Sequence, residues 1–389
     1  MRIGYLVTYF YPYGDGMENN CLSSAKEMVK RGHEVHVFTS DRRDGIISKN
    51  KEEIYQGIHI HRSKTFFRYG HYLDFSPGVV LDAFKFDLDI LHIHAFGFPL
   101  YDFVVVLKKL FSRKTVIVNT PHGPFMALKN YPLWQKIFRE IYAFFEYSIN
   151  GMYDAVVQVN DDQKKWMIKA GVKKKRIAFV PNTIPEDAFR KIENKNFIKK
   201  YNLKDKIVIC NLGRVMKYKG LDQVIRVMPL IVKKYHNVVL ISMGRDKDNF
   251  TEYCKNLAKK LKVEKNIRFL GEVDEDDKLR GLDSADIFVL PSEWEAFGIV
   301  TLEAMARKTA VVSTDTEGSK YLIKSENGIL YKWKDLINLR KGLLALIKND
   351  KLRKKMAKNN YEKSLKFKEE IVAVEYLEKL YYKLLRKKL

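Results

Sequence analysis

Short apolar runs alternate along this chain with stretches of helical periodicity. RIGYLVTYF opens as an apolar strand, and a loop with Gly14 and Gly16 follows. NNCLSSAKEMVKRG then places Leu22, Ala25, Met28 and Val29 on one helical stripe, with Gly32 as a cap beyond its basic end. HEVHVFTS is the next strand. A strand–loop–helix–strand unit of this kind starts a parallel sheet. The alternation continues through IHIHRS, DILHIHAFG and TVIVNTPHG, a long helix YPLWQKIFREIYAFFEYSIN, and the strands DAVVQVN and IAFVPN. In that helix Trp134, Phe138, Tyr142 and Phe145 recur near helical spacing and read as core.

The pattern breaks at NTIPEDAF, residues 182–189, which reads as a linker. A second alternation starts with the strand KIVICNLGR and the helix LDQVIRVMPLIVKKY, which Pro229 is expected to kink or to end early. It runs on through VVLISMG, TEYCKNLAKKLKV, IRFLG, DKLRGLDSA, DIFVLPS, GIVTLEAMARK and AVVSTDT to a long basic helical tail. The fold class this predicts is α/β, with Rossmann-like domains over 1–183 and 184–365. Residues 366–389 are expected to form a helical tail that crosses back to the first domain. Several strands end in His, Asn or Gly, which puts those residues at the carboxyl edge where open α/β sheets bind ligands.

Composition narrows the classes. The chain has 389 residues, 46% hydrophobic and 30% charged, which suits two globular domains and excludes a disordered chain. Its three cysteines, Cys21, Cys210 and Cys254, have no metal-ligand spacing and read as ordinary thiols in a reducing compartment. The first residues enter a strand without a signal-peptide run, and no apolar run approaches the ~18 residues of a membrane span. The expected location is cytoplasmic. The net charge is +24. It fits a lysine-rich solvated surface, attraction to anionic lipid, or nucleic-acid binding. No nucleic-acid-reading motif is present, so no nucleic-acid partner is expected. Peripheral contact with the inner face of a membrane would need a basic, aromatic-rich surface, for which KTFFRYGHYLDF and the 131–147 helix are the candidates.

The chemistry concentrates in PSEWEAFGIVTLEAMA, residues 291–306. A buried strand ends at Pro291, a polar loop carries Glu293, Glu295 and Gly298, and a helix begins near Ile299. Gly298 lets the backbone approach a ligand, and the first N–H groups of the helix, at Ile299 and Val300, form an anion site. Glu303 interrupts an apolar helical run, and a buried carboxylate needs a partner. Arg214 and Lys219 lie at the carboxyl end of the second half's first strand, one a planar fork for phosphate and the other a point charge. No carboxylate pair has clear metal-ligand spacing.

Taken together these residues resemble a known family. EAFGIVTLE matches the E-x7-E signature of retaining, family 4-type (group 1) glycosyltransferases, and GRVMKYKG matches their G-R-x-x-x-x-K-G element. VNTPHG, with His122, is similar to their N-terminal histidine loop. VPNTI resembles their P-N-G-V element, with Thr183 in place of Gly. The resemblance spans nearly the whole chain in the family's order. It implies a GT-B fold, two Rossmann-like domains facing an interdomain cleft. It implies a nucleoside-diphosphate sugar bound as substrate mainly by the C-terminal domain, a glycan, lipid-linked or small-molecule hydroxyl acceptor on the N-terminal domain, and no cofactor or metal. Arg214 and Lys219 are assigned to the diphosphate, Glu295 to the transferred sugar and Glu303 to the ribose. The backbone of Phe297, Gly298, Ile299 and Val300 is assigned to the sugar and phosphates. Val273 is placed near the base and His122 near the reaction centre. Gly244, which ends VVLISMG, and Gly16, the closest-approach glycine of the first loop, complete the donor set.

That first loop departs from the family, because Asp15 puts a carboxylate where adjacent glycines are usual. The histidines His92 and His94 read as strand residues held by packing. Two other functions compete with transfer: epimerisation of a nucleotide sugar on the same fold, and a catalytically silent relative that binds membrane or nucleic acid through its basic surface.

Overall fold

A computed structural model describes residues 1–12, 16–43, 46–48, 50–69, 73–96, 98–122, 133–246 and 249–388. Asp15, Gly14, residues 70–72 of KTFFRYGHYLDF and the first two residues of the 131–147 candidate lie outside them. The chain divides into two units, Met1–Thr183 with Glu369–Leu389, and Ile184–Lys368.

The first unit is built on eight strands: β1 (Arg2–Leu6), β2 (Glu34–Ser40), β3 (Glu52–Tyr55), β4 (Ile58–Ser63), β5 (Ile90–Ile93), β6 (Val116–Asn119), β7 (Ala155–Gln158) and β8 (Ile177–Phe179). Their order is β8-β7-β6-β5-β1-β2-β4-β3, and every pair is parallel except β3 with β4. All residues of β5 and β6 are buried, as strands covered on both faces require. The helices are α1 (Gly16–Lys30), α2 (Pro77–Lys85), α3 (Pro99–Phe111), α4 (Leu133–Asn150) and α5 (Gln163–Lys169). Helix α1 begins at Gly16 and not at Asn19, so Gly16 is a helix-start residue. Residues Glu369–Leu385 are helical and belong to this unit. Tyr381 is fully buried there with Ile3 and Tyr5, and Glu378 pairs with Arg31 at 2.5 Å and His33 at 2.8 Å.

Helix α4 corrects the expectation that its aromatics are core. Trp134 is 46% exposed, Phe138 40% and Phe145 59%. The face turned inward is polar. Arg139 and Glu146 are buried and paired at 2.5 Å. The Tyr142 hydroxyl donates to Asp102 of α3 at 2.5 Å, and Tyr153 donates to the same carboxylate at 3.1 Å. Asn150 donates to the Ala170 carbonyl at 2.7 Å. Burial pushes the Asp102 carboxyl up to about 6 and that of Glu146 up to about 7. Once these groups are enclosed together, the apolar stripe of the same helix can only face outward.

The second unit holds β9 (Ile207–Leu212), β10 (Val238–Met243), β11 (Ile267–Gly271), β12 (Ile287–Leu290), β13 (Ala310–Thr314) and β14 (Gly328–Tyr331). The order is β11-β10-β9-β12-β13-β14, parallel throughout. Around them stand α6 (Lys195–Lys200), α7 (Leu221–Val232), α8 (Phe250–Lys260), α9 (Glu275–Asp283), α10 (Ile299–Ala306), α11 (Glu317–Leu322), α12 (Leu336–Lys348) and α13 (Asp350–Ser364). Pro229 does not end α7, which runs on to Val232. The buried stripe Val224, Val227, Met228 and Ile231 holds the helix against the sheet, and this packing outweighs one missing backbone hydrogen bond.

Candidate active site

In the second unit the loops after β9, β10 and β12, three neighbouring strands, meet at the carboxyl edge. Gly213 and Gly244 have φ of +135° and +141°, and a Cβ on Gly244 would lie 1.9 Å from the Gly213 carbonyl oxygen. Gly244 is therefore needed for two strand ends to touch. Gly220, at φ +71°, packs on the Pro291 carbonyl, where a Cβ would come within 2.1 Å. The Glu293 N–H donates to the Tyr218 carbonyl at 2.7 Å, and the Tyr218 and Trp294 rings stack at 4.8 Å. The loop carrying Arg214 and Lys219 is thus fastened to the loop carrying Glu295.

Each carboxylate is held by one oxygen. Glu295 Oε1 accepts from Lys219 Nζ at 2.5 Å and from Ser292 Oγ at 2.8 Å. Glu303 Oε1 accepts from Lys278 Nζ at 2.7 Å, and the same ammonium reaches Glu275 at 2.6 Å. Among the described residues, Oε2 of Glu295 and of Glu303 has no protein partner. Both side chains are 11% exposed, so each presents one oriented acceptor from a largely desolvated position. Burial pulls the Lys278 ammonium down, but Glu303 and Glu275 outweigh it and its pKa lies above the ordinary lysine value. Arg214 Nη2 donates to the Tyr218 hydroxyl at 2.8 Å.

Between the carboxylates lies the start of α10. Gly298 is left-handed, with φ +87° and ψ +57°. Thr301 and Leu302 bond back to its carbonyl, while the N–H groups of Ile299 and Val300 make no hydrogen bond among the described residues. The Phe297 side chain points into the protein, against Tyr321 and Phe367 at 5.7 and 5.9 Å, so only its backbone is offered to a ligand. Val273 is half-buried in the turn between β11 and α9. Arg214, Lys219, Gly244, Val273, Glu295, Gly298 and Glu303 thus all belong to this end of the unit. Among the described residues no group of three or more His, Cys, Asp or Glu could hold a metal ion.

His122 and Gly16 belong to the first unit. His122 follows β6 with φ +48°, a left-handed conformation rare for a side chain this large. His94 Nδ1 and His122 Nε2 share a hydrogen bond at 2.9 Å. His92, one strand position earlier on the same side, bonds Tyr381 at 2.6 Å and Thr120 at 2.7 Å. Burial pushes His92 down to about 3 and His122 to about 4, and His94 falls well below the ordinary imidazole value. Burial thus keeps the His122 imidazole neutral near pH 7, with Nε2 engaged by His94. These depressed values favour the fold fully above about pH 6.5, and that contribution is lost as the pH falls through 4 and then 3. Following the imidazole ring protons by NMR against pH should show both residues still neutral at pH 5. A midpoint near 6.5 for His122 would refute this account.

Sequence reasoning missed three residues here. Ser292 and Lys278 hold the two carboxylates, and His94 orients His122. The buried position of Glu303 was a signal that a cation must lie nearby, but Lys278 stands in an acidic helix, 25 residues away, that gave no sign of pointing there.

The chain matches two family models in succession: Glycosyltransferase Family 4 over residues 14–188 and Glycosyl transferases group 1 over residues 193–363. It is 26% identical over 370 residues to the phosphatidyl-myo-inositol mannosyltransferase of Mycobacterium tuberculosis, covering 91% of this chain and 90% of that one. Sucrose-phosphate synthase from Thermosynechococcus elongatus superposes with a TM-score of 0.80 at 18% identity, with 99% of each chain covered. Anabaena HepE, solved in complex with UDP and glucose, superposes with a TM-score of 0.76 at 17% identity, over 98% of this chain and 99% of that one. With its two parallel-sheet units and the ordered motifs of both halves, the chain belongs to the group 1, family 4-type glycosyltransferases and is a transferase of GT-B fold.

Proposed function

We propose that this glycosyltransferase moves a sugar from a nucleoside-diphosphate sugar to a hydroxyl of a glycan or lipid-linked acceptor, with retention of anomeric configuration and without a metal. The observation that carries this reading is the pair of half-open carboxylates on either side of a helix start whose first N–H groups have no partner among the described residues. An extended ligand with hydroxyls at both ends and phosphates between them matches that order of groups. Glu295 takes the sugar hydroxyls, the N–H groups of Ile299 and Val300 take phosphate, and Glu303 takes the ribose. The UDP and glucose bound to Anabaena HepE, and the phosphatidyl-myo-inositol in the mycobacterial enzyme's name, support the same classes of donor and acceptor.

In the transfer the bond between the anomeric carbon and the phosphate oxygen breaks, and its electron pair leaves with the diphosphate. Arg214, Lys219 and the helix start stabilise that charge. The acceptor oxygen bonds to the anomeric carbon from the face the leaving group vacates, and its proton passes to the departing phosphate oxygen. No protein nucleophile enters. Glu295, held by Lys219 and Ser292, acts as a hydrogen-bond acceptor.

Thermal shift with UDP-, GDP- and ADP-sugars should single out one donor, which at 100 times its Kd would add about 2.7 kcal/mol to stability. Transfer from that donor should survive EDTA, and the product should keep the donor's anomeric configuration by proton NMR. Inverted product, or activity restored only by a divalent ion, would reject the mechanism. Epimerised nucleotide sugar with no transfer to an acceptor would reject the function.

A further inference from the structure

Helix α4 is amphipathic the wrong way round for a soluble protein. Its polar stripe is enclosed by the unit, while Leu133, Trp134, Ile137, Ile141, Phe144 and Phe145 are exposed, Phe144 by 79%. Soluble proteins rarely leave so long an apolar stripe uncovered. Helix α3, which packs against α4, adds Phe103, Leu110 and Phe111, the last 70% exposed. We propose that this face lies on an anionic lipid bilayer, with α4 parallel to the surface and its aromatic side chains at the level of the headgroups.

Three observations select a bilayer over a protein partner. The exposed side chains are dominated by Phe, with Trp134 and Tyr147, the composition of an interfacial helix. Exposed cations lie nearby in the same unit: Arg113 and Lys114 directly follow α3, and the ammonium of Lys64 lies 5.2 Å from the centre of the exposed Phe66 ring, which meets Phe75 of a strand packed on α3. Glu140 is the exposed acidic residue of α4, and it does not offset them. A second copy of a chain with net charge +24 would bring the same cations against each other, whereas a surface of acidic lipid neutralises them. Length fits as well. At 1.5 Å per residue α4 is about 27 Å long, and among the described residues no helix is apolar enough to cross a membrane. The face therefore rests on the bilayer and does not span it.

The inference stands apart from the transfer chemistry, and its test uses neither donor nor acceptor. The full chain is floated with phosphatidylcholine vesicles that contain, or lack, about a third phosphatidylglycerol. It should float with the anionic vesicles, less so at high salt. Ile141→Glu with Phe144→Glu should cut partitioning about a hundredfold or more, since each replaces a large apolar side chain by a charge. Arg113→Ser with Lys114→Ser should cut it about thirtyfold, and only on anionic vesicles. Neither pair should change the melting temperature, because these side chains are exposed. Failure of the wild type to float overturns the proposal. So does unchanged flotation of both variants. A dimer in sedimentation equilibrium that Phe144→Glu dissociates, without vesicle binding, would identify a second copy as the occupant and overturn it too.

Discussion

Lys219→Met should lower kcat about 10²–10³-fold, the loss of about 3–4 kcal/mol of transition-state stabilisation, while donor KM changes much less. Charge on the diphosphate grows as the glycosidic bond breaks, so a cation beside it acts more strongly on the transition state than on the bound donor. The same substitution leaves Glu295 with Ser292 as its remaining donor in a site where its side chain is only 11% exposed. Stability should fall by about 1–3 kcal/mol, read as a lower melting temperature. Glu295→Gln in the same background should recover part of that stability and none of the rate. A Lys219→Met enzyme with unchanged kcat would remove Lys219 from the reaction. Arg214→Lys is a milder probe, since it keeps the charge and loses the planar fork.

Glu303→Ala should act on the other kinetic constant. In the proposed donor placement Glu303 meets the ribose, far from the bond that breaks, so an acceptor for its hydroxyls contributes equally to donor and transition state. A hydrogen bond to a charged group contributes about 1.5–3 kcal/mol, which sets the expected rise in donor KM at about 10- to 100-fold with kcat near wild type. Lys278→Met should shift KM the same way without touching the ligand, because Lys278 fixes Glu303 Oε1 at 2.7 Å and thereby aims the other oxygen. The double variant should be no worse in KM than Glu303→Ala alone, a dependence that a double-mutant cycle measures. A fall in kcat for Glu303→Ala at constant KM would place this carboxylate at the reacting bond instead.

The sequence revealed what depends on local order along the chain. Strand–helix alternation, the glycines at strand ends and the order of motifs are all contiguous signals, and from them come the two parallel sheets and the loop–helix at 291–306. What it concealed depends on which face of an element turns inward, or on contacts between distant segments. Periodicity shows that α4 has an apolar stripe, but not that Asp102 and Tyr153 draw the opposite stripe inside. Lys278 and Glu303 meet only because α9 and α10 flank the same sheet edge. His92 and His94 look alike in sequence, yet one is fixed by Tyr381 from the far end of the chain and the other by His122. The hairpin strand β3, the helices α2 and α3, and α11 with β14 give no such signal, being short or lacking a clean period.

The return of Glu369–Leu389 to the first unit bears on how the protein is made. A ribosome delivers Ile184–Lys368 in full before Tyr381 emerges, so the second unit can fold while the first still lacks a helix of its core. Until then His92 has no Tyr381 hydroxyl to bond, and Ile3 and Tyr5 face an uncovered groove. The unit synthesised first is therefore completed last. A nascent chain stalled before Glu369 would carry a finished second unit and a first unit whose open core chaperones must keep covered.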